Sequence, residues 1–174
     1  RVLFRSTRPR DGFICLRRLQ ECVAAPIAEA PSSATVTADV DGKALLQFSA
    51  PGWTVNEFSR HYAEPLSGTS AGLAIDVLSN TADTLKLDTT PAAAGLTTGM
   101  TFVLRKHATL AGLLPDGGGF VPFNDTIGLF GASGTQKIYF WRNDTSKWID
   151  EASVDSSDVV IRPGQWFVIQ VGVA

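Results

Sequence analysis

Short apolar runs cut by corner residues constrain this chain more than any other feature. From Gly12 onward, stretches of Val, Ile, Leu, Phe and Thr are interrupted every few residues by Gly, Pro, Asn or Asp, the punctuation of strands and turns. Leu85 and Leu87 alternate with Thr84, Lys86 and Asp88, the period of a strand with one face buried. That strand is expected to pair with residues 73–79 across the turn Asn80-Thr81-Ala82-Asp83. Residues 36–40 and 44–49 read as a second hairpin around Asp41-Gly42, since Asp-Gly supplies the positive φ of a two-residue turn. Residues 100–104, 125–130, 137–141 and 166–171 give further strands, most of them rich in β-branched and aromatic side chains. About twelve short segments at this spacing predict an all-β fold, an antiparallel β-sandwich or barrel-like domain with little helix.

Helical signals are few. Residues 91–96 can form one turn, kept short by Pro91, Gly95 and Gly99. Residues 14–25 place Leu16, Leu19 and Val23 at helical spacing, but a helix of about twelve residues is marginal by itself in water. The alternative is a first strand over 12–16 that turns near Arg18-Leu19 and returns through 22–27, and this is the reading adopted. One internal echo stands out: Gly99-Met100-Thr101-Phe102-Val103-Leu104 and Gly164-Gln165-Trp166-Phe167-Val168-Ile169 share Gly-x-x-Phe-Val-aliphatic. Both read as a glycine turn opening a strand whose Phe fills a core; a duplicated sub-barrel is the sharper alternative. Residues 12–174 are therefore expected to form one β-rich domain, or two pseudo-repeated sub-barrels.

The 174 residues are 44% hydrophobic and 18% charged, with 4 Trp, 2 Tyr and 10 Phe, which excludes disordered, collagen-like and coiled-coil classes. No apolar run reaches the 18 or so residues of a transmembrane helix. The net charge of −2 hides an asymmetry. Arg1, Arg5, Arg8, Arg10, Arg17 and Arg18 face one acid, Asp11, before residue 19, so the remainder is acidic. An acidic body argues against a nucleic-acid partner, which requires a clustered basic face. Arg1–Ser6 looks like translated adapter sequence, and residues 1–11 are expected to be a non-native or disordered extension. No signal peptide is visible: Val2-Leu3-Phe4 is too short an apolar stretch, and the small-x-small site Ala28-Glu29-Ala30 follows a brief segment containing Pro26.

Chemistry-bearing residues are sparse. Cys15 and Cys22 would lie too far apart for a disulfide on a helix, about 10.5 Å along the axis, and opposite each other on a hairpin. The residues therefore leave both states open. His61 and His107 are a thin supply of bases, and no Gly-x-Ser-x-Gly or phosphate-binding Gly-rich loop accompanies them. Ser-Gly-Thr at 67–69 and at 133–135 reads as turn chemistry. Asp39-x-Asp41-Gly42 opens like a calcium loop but lacks its closing ligands. Asp150, Glu151, Asp155 and Asp158 fall within nine residues and would hold Ca²⁺ if their loop curled; the alternative is a solvated turn. Tyr139-Phe140-Trp141, the turn 143–146 and Trp148 put large rings on both strands of a hairpin. With Trp53, Trp141 and Trp148 are the candidates for a sugar-stacking platform, against the commoner use of such rings in packing. No catalytic residue and no cofactor is assigned.

Ala50-Pro51-Gly52-Trp53-Thr54-Val55-Asn56-Glu57-Phe58 resembles a signature of an uncharacterised family of secreted β-rich bacterial proteins found mostly in verrucomicrobial genomes. The segments 79–85, 99–102 and 105–110 resemble it in the same order, as does Ile161-Arg162-Pro163-Gly164-Gln165-Trp166-Phe167-Val168-Ile169. The resemblance runs from about Gly12 to the C-terminus, with residues 12–26 shorter than the pattern. It implies an exported protein, secreted or at the cell surface, with no assigned activity, cofactor or functional residue. The expectation is a non-enzymatic structural or matrix β-domain that self-associates. A carbohydrate-binding or adhesin module using exposed Trp to hold a surface glycan is the alternative. A hydrolase built on the acidic cluster and His61 comes third.

Overall fold

The computed structural model describes residues 14–18, 27–131 and 133–172. In chain order the elements are β1 (Ile14–Arg18), β2 (Ile27–Ser33), β3 (Thr35–Ala38), β4 (Ala44–Gln47), β5 (His61–Pro65), β6 (Ile75–Asn80) and β7 (Thr84–Leu87). Then come β8 (Thr101–Lys106), β9 (Ala108–Thr109), the one-turn helix α1 (Leu110–Leu113), β10 (Thr126–Phe130), β11 (Gln136–Arg142), β12 (Lys147–Asp150), β13 (Val160–Ile161) and β14 (Trp166–Gln170). The fold is all-β, and the ladders within its sheets run antiparallel. The chain divides into two compact units: Ala25–His107, and Ala108–Ala174 together with the N-terminal strand β1.

In the unit Ala25–His107 the sheet order is β2-β8-β5-β6-β7-β4-β3. Its edge strands β2 and β3 are separated in sequence only by Ala34, so the sheet curls almost into a closed barrel. The seam is held by Ala34 N–H donating to the Met100 carbonyl at 3.1 Å and Gly99 N–H donating to the Ala34 carbonyl at 2.9 Å. Thr98 Oγ1 then accepts from Val36 N–H at 3.0 Å and donates to the Val36 carbonyl at 3.3 Å. The interior is filled by Leu46, Phe58, Ala63, Ile75, Val77, Leu85, Leu87, Phe102 and Leu104. Each large aliphatic chain so buried contributes about 1.5–3 kcal/mol. Leu85 and Leu87 lie in this core while Thr84 and Lys86 are half-buried and Asp88 is exposed, as the alternation dictates.

The first hairpin departs from the two-residue turn expected at Asp41-Gly42. Val36 pairs with Leu46 and Ala38 with Ala44, leaving five residues, 39–43, in the loop. A two-residue turn would set Val36 opposite Gln47, and a one-residue slip turns a whole strand onto its other face. Val36, Ala44 and Leu46 all belong to the core side, so burial overrides the local turn preference. Asp39 closes the wider loop by accepting from Asp41 N–H at 2.9 Å and Lys43 N–H at 2.8 Å.

In the second unit the main sheet runs β1-β14-β10-β11-β12, beside a two-stranded β9-β13 ribbon. β1 is a strand over the part of residues 14–25 that is described, and it pairs with β14. The expected return through 22–27 falls on residues outside those described except for Ile27, and Cys22 lies there too. The core is Leu110, Ile127, Leu129, Tyr139, Trp141, Trp148, Ile161 and Phe167. Residues 91–95 form turns, whereas the helix α1 lies at 110–113. Thr109 caps α1, its hydroxyl accepting from Gly112 N–H at 3.1 Å. Beyond it Gly117 has φ +77, and a Cβ there would lie 2.5 Å from the Trp141 ring, so only glycine lets the backbone lie on that indole.

The two units connect their strands in the same order. Strands β8-β5-β6-β7 and β14-β10-β11-β12 are each a fourth-first-second-third arrangement, a Greek key. Each key carries an earlier strand, β2 or β1, on the outside of its returning strand. The sequence echo falls on the returning strands: Gly99 and Gly164 have φ +90 and +76, and Phe102 and Phe167 are both core residues.

Candidate functional site

Trp53, Trp141 and Trp148 all lie in the cores rather than at the surface. Trp148 is 0% exposed, with its indole N–H donating to the Leu114 carbonyl at 3.1 Å. Trp141 stands directly opposite it across the ladder, ring centroids 5.7 Å apart. Trp53 packs edge-on against Phe48 and Phe58 at 5.2 and 5.1 Å. Rings used in this way offer no face to a sugar, which corrects the expectation of a platform at these three positions. Trp166, on β14, is the exposed tryptophan, at 53%.

The acidic cluster is also put to other use. Asp150 Oδ1 accepts from Ala152 N–H at 3.0 Å and Val154 N–H at 2.9 Å. Asp155 pairs with Lys147 Nζ at 2.6 Å and accepts from Ser157 N–H at 3.1 Å. Lys147 and then the Ser157 hydrogen bonds hold the Asp155 carboxyl at about 2. Glu151 and Asp158 are exposed. Among the described residues no three His, Cys, Asp or Glu side chains gather where they could hold a metal ion; Asp150 and Asp155 tie down their own loop instead of curling it round a Ca²⁺.

One polar grouping was not expected. Tyr62 pairs with Asp76 on one side and Arg105 on the other, so the three form a row across β6, β5 and β8 on the face opposite Ala63 and Ile75. Burial raises the Tyr62 phenol. Arg105 Nε donates to Glu64 Oε2 at 2.5 Å. His107 is buried, with Nε2 3.1 Å from Asp76 Oδ1 and its ring 5.0 Å from that of Tyr62. Nε2 is the ring nitrogen that faces Asp76, and Nδ1 has no hydrogen-bond partner. An Asp–His pair is the orienting half of a nucleophile-activating triad, but the ring nitrogen that would take a proton from a hydroxyl is the orphaned one. His61 lies on the opposite face, stacked edge-on against Phe58 at 5.1 Å. Burial, then Lys106 and His107, hold its imidazole below the usual range.

Two grooves lie on the described surface of the barrel unit. The larger, about 540 Å³, is lined by Thr69, Ser70, Ala71, Gly72, Leu73 and Ala92, Ala93, Ala94, Gly95. The smaller, about 330 Å³, lies at the barrel seam between Ser33, Ala34, Thr35, Gln47, Phe48, Ser49, Thr98 and Gly99. Neither is lined by an ionisable side chain. The Ser-Gly-Thr at 67–69 leads into the larger groove, Gly68 with φ +76, so a segment read as plain turn chemistry shapes a recess. Comparison with protein-family models, with the curated proteins and with the solved structures finds no match to this chain.

Proposed function

We propose that this chain is a non-enzymatic β-module of an exported structure, serving at a cell surface or in an extracellular matrix. The observation that carries the reading is where the chemistry-bearing side chains are spent. Asp39, Asp150 and Asp155 each accept backbone N–H bonds within their own loops. Asp125 bridges Val121 N–H at 2.8 Å and Gly172 N–H at 3.0 Å. Asn80 accepts from Phe58 N–H at 2.9 Å and donates to the Thr54 and Thr81 carbonyls at 2.7 and 2.8 Å. These are investments in loop order on two Greek keys, and loop order is what a durable scaffold requires. The resemblance of residues 50–58 and 161–169 to a secreted family supports export.

The test is localisation and turnover together. Surface shaving of intact source cells with protease releases peptides of this chain, and recovery of the intact chain with cytoplasmic markers overturns the reading. Purified protein is expected to leave chromogenic glycosides, esters and peptides intact. Turnover that disappears in Asp76→Asn or His107→Gln also overturns it.

A further inference from the structure

We propose that the groove between the β5–β6 and β7–β8 loops is a binding site for one neutral sugar residue of a glycan. The inference concerns the barrel unit and stands whether or not the chain is exported. Pairing of Pro65 with Phe102, Ala63 with Ile75 and Val77 with Leu87 brings the two loops to one end of the barrel. They lie close against each other: a Cβ on Gly95 would lie 2.7 Å from Thr69 Oγ1, and one on Gly68 would lie 2.9 Å from Met100 Cε. Each wall is also braced internally. Gly72 N–H donates to the Pro65 carbonyl at 2.9 Å, Leu73 N–H to the Ser70 carbonyl at 2.9 Å, and Leu96 N–H to the Pro91 carbonyl at 2.8 Å. Ala94 and Leu96 anchor the second wall in the core. A recess held in this way is formed before any ligand arrives, which limits the ordering cost of binding.

The lining selects the ligand's chemistry. At about 540 Å³ the groove falls in the range of small-molecule sites, roughly 300–1,000 Å³. No ionisable side chain lines it, so a charged ligand would shed its hydration without a counter-charge. Thr69 and Ser70 supply hydroxyls, while Leu73, 47% exposed, with Ala92 and Ala93 offers an aliphatic surface for the C–H face of a ring. The second observation is Ser70 itself. It lines the groove, is only 7% exposed, and its Oγ has no hydrogen-bond partner. An unpaired buried hydroxyl is costly, and a ligand hydroxyl that reached Ser70 Oγ would satisfy it.

The experiment is an amide-resolved NMR titration of the full chain with glucose, galactose, N-acetylglucosamine and their neutral disaccharides, with glucuronic acid as the charged comparison. The expected result is saturable shifts confined to residues 69–73 and 92–95, with glucuronic acid weaker. Ala93→Trp, which fills the groove from an exposed position, abolishes them. Ser70→Ala weakens binding about tenfold, the loss of one hydrogen bond, while its melting temperature does not fall. Absence of shifts at tens of millimolar sugar, shifts elsewhere, or binding untouched by Ala93→Trp overturns the proposal. Unchanged binding in Ser70→Ala with a raised melting temperature overturns it too, because the hydroxyl is then only a buried orphan.

Discussion

The barrel unit and the C-terminal unit follow one strand order and solve its edge problem differently. In the barrel, β3 and β4 are inserted between the first strand and the Greek key, and they carry the sheet round until Ala34 and Val36 meet residues 98–100. Among its described residues the main sheet of the C-terminal unit has no such insertion. Its edge strand β12 is covered by its own following loop, with Asp150 N–H donating to the Val154 carbonyl and Ser156 N–H to the Trp148 carbonyl. The cores differ to match. The barrel interior is mainly aliphatic, whereas the open sheet stacks Tyr139, Trp141 and Trp148 beneath a helix and a glycine turn.

The comparison can be broken hardest at its aromatic half. Trp148→Ala removes a wholly buried indole and the bond to Leu114, and is expected to cost about 3–5 kcal/mol in chemical denaturation. Amide exchange should speed up across Ala108–Ala174. Asn80→Ala strands one N–H and two carbonyls at a corner of the barrel and should cost about 2–3 kcal/mol, with Phe58 N–H losing protection. Thr98→Val keeps the shape and removes the clasp on Val36. About 1 kcal/mol is expected, and exchange at Val36 N–H should accelerate while β11 is unaffected.

The smallest effect sharpens the contrast through pH. Burial holds His61 below its ordinary value, so the unfolded chain takes up a proton before the folded one does. Stability is full above the unfolded value near 6.5 and declines as pH falls below it toward the folded value. Denaturation midpoints should drop between pH 7 and pH 5, and His61→Gln should flatten that part of the curve. Asp155, held at about 2, acts lower. Its contribution is present above the unfolded value of 3.8 and disappears as pH falls toward 2, and Asp155→Asn should remove that step.

Much of the fold was legible because alternation is a direct consequence of strand geometry. Leu85 and Leu87 fall inward for no other reason than their spacing. The register of the first hairpin was legible too, had the parity of Val36, Ala44 and Leu46 been weighed above the Asp-Gly turn. The helix α1 was hidden because Leu110-Ala111-Gly112-Leu113 is too short for a period to show. Nothing in a linear pattern distinguished Trp141 and Trp148 as core rings from a surface platform, since both uses place aromatics at one-face spacing. The Asp76–His107 contact and the groove were out of reach for a plainer reason. Their members come from strands and loops distant in sequence, and only strand order brings them together.

β1 belongs by pairing to β14, about 150 residues further on, with Ile14 opposite Gln170. During synthesis the barrel strands are complete once Lys106 has emerged, but β1 finds no place until residues 166–170 are made. β1 is therefore synthesised well before the strand it docks on. A chain stalled before β14 leaves β1 without that partner, a sticky edge for any neighbour.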